Sequence, residues 1–100
     1  MNKISPKLKN LLSTKFDNFQ KFILEIISEE QKVSFNEQIE SLKNDFSKIL
    51  LFVIFIKKEN LNKNIDEFMQ KFKINESNKP KIEEYYLFFL DIKNLILKNE

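Results

Sequence analysis

General acid–base chemistry needs two titratable groups that converge on one reacting atom. The closest-spaced candidates in this sequence are three acidic doublets, Glu29-Glu30, Asp66-Glu67 and Glu83-Glu84, and one tyrosine doublet, Tyr85-Tyr86. Neighbours on a helix point about 100° apart and do not face each other. The acidic doublets therefore read as solvated helix faces, and Tyr85 and Tyr86 as one core and one rim position. The chain contains no histidine and no cysteine. That removes nucleophile–histidine pairs, thiolate catalysis and nearly all zinc sites. The ferritin-like di-iron pattern fails too, because it needs a Glu-x-x-His step. Glycine is also absent, so neither a phosphate-cradling loop nor a dinucleotide fingerprint exists. No catalytic residue, metal ligand or cofactor is expected, and the chain reads as a non-enzyme.

Binding chemistry is what is left, and two kinds of residue offer it. The first is lysine. Seventeen lysines stand against fifteen acids, for a net charge of only +2, far from the strong positive field of a typical nucleic-acid binder. Lys3, Lys7, Lys9 and Lys15 concentrate near the N-terminus, whereas residues 25–46 are net acidic. A lysine-driven nucleic-acid site on those four residues is the alternative reading, without an arginine or a recognition-helix signature to support it.

The second kind is surplus apolar surface. In Ile49-Leu50-Leu51-Phe52-Val53-Ile54-Phe55-Ile56, Leu51 and Phe55 point away from the apolar stripe of their own helix. A helix apolar all round is normally buried all round, so this segment is expected to be the central post of the fold. In Tyr85-Tyr86-Leu87-Phe88-Phe89-Leu90, Leu87 lies nearly opposite the inward stripe. Leu87, Leu90, Asn94 and Leu97 then follow at steps of three, four and three, the spacing of a helix-pairing seam. A small bundle has little room for two enclosed posts. Leu87, Leu90, Leu97, Leu51 and Phe55 are therefore the candidate partner-binding residues, since exposed apolar patches mark partner surfaces.

These residues must be positioned by helices. Ser5-Pro6 is a start signal, with serine at the cap and proline at the first helical position. The stripe Leu8, Leu12, Phe16, Phe19, Ile23, Ile26 predicts a helix over 6–29, with a kink allowed at 13–14. Ser34-Phe35-Asn36-Glu37 has capping-box form and predicts a second helix over 35–58. An asparagine-rich turn at 60–63 follows, then a helix over 65–73. Pro80, which disfavours helical geometry at Lys79, opens the last one, 80–98. The expected fold class is all-α, a small bundle of four or five helices with no sheet.

One hundred residues suit one domain, so a single helical domain spanning 1–100 is expected. The longest apolar run, eight residues, falls short of the roughly 20 that span a bilayer. No signal-peptide pattern follows the basic start, so a cytoplasmic protein is expected. Lysine, asparagine, isoleucine, phenylalanine and tyrosine supply more than half the chain, while alanine, glycine and arginine are absent. Those are the residues that A/T-rich and G/C-rich codons respectively favour. In type the chain is like small phage, viral or parasite accessory proteins. The functional expectation is a non-catalytic binding module: an accessory subunit, an adaptor, or an inhibitor that blocks a host machine. It would dock through an apolar helix face onto another protein or a second copy of itself.

Overall fold

The computed structural model describes residues 4–40, 42 and 45–98. Among these residues there are five α-helices: α1 (Pro6–Ile26), α2 (Glu29–Glu40), α3 (Phe46–Ile54), α4 (Leu61–Lys71) and α5 (Lys79–Lys98). Single 3-10 turns at Lys58–Asn60 and Glu76–Asn78 lead into α4 and α5, and no strand occurs among the described residues. The all-α expectation holds. Ser5 caps α1 as its sequence requires, its Oγ accepting the Leu8 N–H at 3.2 Å, with Pro6 at the first helical position.

Several boundaries differ from those expected, and each has a local cause. α1 runs unbroken through Ser13-Thr14 but stops at Ile26 rather than Glu29, because Ile27 turns extended and Ser28 starts a new helix. The Ser28 Oγ accepts the Gln31 N–H at 3.3 Å, so Ser28, not Ser34, is the cap. Ser34 lies inside α2, where its hydroxyl accepts a hydrogen bond from Gln38. The single helix expected over 35–58 is two. Asp45 caps α3, its Oδ1 accepting the Lys48 N–H at 3.3 Å, and α3 ends at Ile54. The turn expected at 60–63 is largely helical, since α4 begins at Leu61 and ends at Lys71 rather than spanning 65–73. Lys79 is helical despite the proline after it (φ −57°, ψ −44°). Its ammonium pairs with Asp66 of α4 at 2.9 Å, and that carboxylate holds its pKa above the usual 10.5.

One continuous apolar core joins all five helices, and no polar or charged residue among those described is buried. α5 is the post at its centre. It packs against α1, α3 and α4 and buries Ile82, Tyr85, Tyr86, Phe89, Leu90, Ile92 and Ile96. The expectation that α3 would be that post is therefore corrected. Without alanine to fill small gaps, rings do the packing. Phe19 meets Phe52, Phe68, Tyr85, Tyr86 and Phe89 at centroid distances of 5.3–6.5 Å, several of them edge-to-face, the arrangement that adds to simple burial. Tyr85 and Tyr86 are both core rather than core and rim. Burial of Tyr86 pushes its phenol well above the usual 10.0, since the charged form would have to leave water.

Candidate docking face

α3 turns Ile49, Leu50 and Val53 into the core. At 100° per residue the opposite side of the helix carries Lys48, Leu51 and Phe55 within about a 60° arc. Leu51 is 54% and Phe55 72% exposed, the latter more than any other large apolar residue described. The end of this helix is held from behind. The Lys93 ammonium of α5 donates to the Ile56 carbonyl at 2.8 Å, in a part-buried contact. Val53 before it and Ile56 after it are both buried, so the chain is held on either side of the exposed Phe55. Lys57 and Lys58 follow immediately, both exposed, with Glu59 the acid beside them. The result is an apolar pair flanked by lysines on a well-supported surface.

The seam expected on α5 is only partly a surface. Leu87 and Leu97 are exposed, each at 42%, whereas Leu90 is buried at 7%. Leu90 departs from the expectation because α4 approaches that side of α5. Leu87, Leu90, Asp91 and Asn94 line one wall of a groove of about 460 Å³ whose other wall is Lys58, Glu59, Leu61, Asn62 and Lys63. Leu95, which the spacing did not single out, is exposed too. At 100° per residue it lies about 160° from Leu97. The exposed leucines of α5 thus do not form one stripe, and the α3 face is the better-defined apolar surface.

The N-terminal lysines are not brought together. Lys3 lies outside the described residues. Lys7, Lys9 and Lys15 are spread around α1, with Lys7 and Lys9 about 160° apart at 100° per residue. Lys9 sits over the Phe46 ring of α3 at 5.2 Å. Lys15 leaves on the other side, over Tyr85 and Phe88 of α5 at 5.4 and 4.7 Å. Both cations are thereby drawn onto the protein's own aromatic faces. No group of three or more acidic side chains gathers as metal ligands would among the described residues.

Sequence reasoning missed Val33, which is 62% exposed on α2. Its signal was available: Val33 lies across the helix from the buried Phe35 and Ile39. Placing the helix start at Ser34 left Val33 outside any helix and hid that relation.

No helix among the described residues is long and apolar enough to cross a membrane. No protein-family profile matches the chain, and neither a curated protein nor a solved structure shows significant similarity to it.

Proposed function

We propose that this chain is a non-catalytic protein-binding module, an accessory subunit, adaptor or inhibitor, that docks through the outer face of α3. The observation that carries this reading is the exposure of Leu51 and Phe55, one turn apart on a helix whose other side is fully engaged. Two large apolar side chains held in water at one spot leave favourable burial unused, and an interface recovers it. Leu87 and Leu97 of α5 supply further exposed apolar surface. The lysine-based alternative gains no support, because Lys7, Lys9 and Lys15 diverge.

The test is the double substitution Leu51→Lys/Phe55→Lys, compared with the wild type in melting and in affinity capture. Surface changes usually alter stability by within about 0.5 kcal/mol, so the variant is expected to keep its helicity and melting temperature. An apolar anchor at the centre of an interface is worth about 2 kcal/mol or more, so capture of the partner should fall at least about thirtyfold. A folded variant that captures the same proteins as the wild type would place the interaction elsewhere.

A further inference from the structure

We propose that the occupant of the α3 face is α2 of a second copy of this chain. This inference rests on the reading of α3 as a docking face and adds the identity of what covers it.

The argument is charge and shape complementarity between two surfaces of the same molecule. α2 buries Phe35 and Ile39 on one side. Its opposite side carries Glu29, Glu30, Glu37 and Glu40 around the exposed Val33. At 100° per residue these five fall within about a 100° arc. Lys32 is the only lysine on α2, and it lies off this arc, pairing with Glu29 at 2.8 Å. Glu30, Glu37 and Glu40 thus present an acidic stripe with an apolar centre. The α3 face is the inverse: Leu51 and Phe55 at the centre, with Lys48 beside them on the helix and Lys57 two residues on from Phe55, all exposed.

The two surfaces do not cover each other within one molecule. α2 is anchored by Phe35 on Phe68 and Phe72 of α4, whereas α3 packs on α1 and α5, and both stripes stay exposed. Opposite charges around apolar centres are the arrangement that steers association and fixes register. Each copy offers both a stripe and a face, so every contact pairs unlike patches, whether two copies exchange them reciprocally or several do so in series.

That asymmetry gives a specific test with two single-patch variants. A stripe variant, Glu30→Lys/Val33→Lys/Glu37→Lys, keeps the α3 face. A face variant, Leu51→Glu/Phe55→Glu, keeps the α2 stripe. Sedimentation is measured on the wild type, on each variant and on their equimolar mixture, with circular dichroism to verify folding. The wild type should associate above the monomer, and about 1 M salt, where the screening length falls to about 3 Å, should weaken this at least tenfold. Each variant alone should be monomeric. The mixture should form a one-to-one complex, because the intact stripe of one variant meets the intact face of the other.

A wild type that stays monomeric at low salt overturns the inference, whether or not either variant folds. So does association that both variants retain, or a mixture of folded variants that stays monomeric while the wild type associates. If the wild type is monomeric yet captures another protein in a manner that depends on Leu51 and Phe55, self-association fails and the docking face stands. If wild-type association survives the face variant and capture does too, both fail together.

Discussion

Lys73 shows how a chain without glycine ends a helix. It sits at φ 53°, the left-handed region that costs a residue with a β-carbon about 1–2 kcal/mol. The geometry is enforced by a Schellman closure. The Ile74 N–H donates to the Met69 carbonyl at 2.9 Å, and the Lys73 N–H to the Gln70 carbonyl at 3.3 Å. Ile74 is buried just beyond it, the apolar contact that accompanies this motif. A lysine takes this position where glycine or asparagine is the usual occupant, and the next residue, Ile74, enters the core. Lys73→Gly should therefore relieve the strain and stabilise the fold by about 1 kcal/mol. For a domain of this size that raises the melting temperature by about 4–8 °C. A thermal melt checks it, and a lower melting temperature would contradict it.

Helix content was legible where caps and periodicity agreed. Ser5-Pro6 and the stripe from Leu8 to Ile23 place α1, and the stripe from Ile82 to Ile96 places α5. Between them periodicity carried no information about the break. Phe35, Ile39, Leu42, Phe46 and Ile49 keep helical steps straight through it, although Phe35 faces α4 and Ile49 joins the core beside α1 and α5. Ser28 and Ser34 both offer a cap three residues before a Gln or Glu, and only the fold chooses Ser28. The choice is testable. Ser28→Ala removes the acceptor for the Gln31 N–H and should cost about 1 kcal/mol, as loss of an N-cap does. Ser34→Ala, at a helix interior position, should be nearly neutral, since alanine is the better helix former. Denaturant melts of the two variants distinguish them, and a larger loss at Ser34 would contradict the assigned helix start.

Seen whole, the molecule places its excess apolar surface unevenly. Two segments were apolar on more than one side, and a bundle this small encloses only one of them. α5 is wrapped on three sides by α1, α3 and α4, which buries Leu90 and leaves Leu87 and Leu97 at the margin. α3 is left with an outer face, and Leu51 and Phe55 are its consequence. The candidate site was therefore legible as an alternative between two helices, while the choice depended on which helix took the centre, something local spacing does not encode. The account's central claim is that a protein sits on this face. Its most direct measurement replaces Phe55 with a photoreactive benzoylphenylalanine, a conservative change at a position 72% exposed, and identifies cross-linked peptides by mass spectrometry. Asn18, exposed on α1, carries the same probe as a control. The account predicts a discrete cross-linked species from position 55 and none from position 18, with its peptide drawn from residues 29–40 if the occupant is a second copy. No cross-link from position 55, or equal yields from both positions, would contradict it.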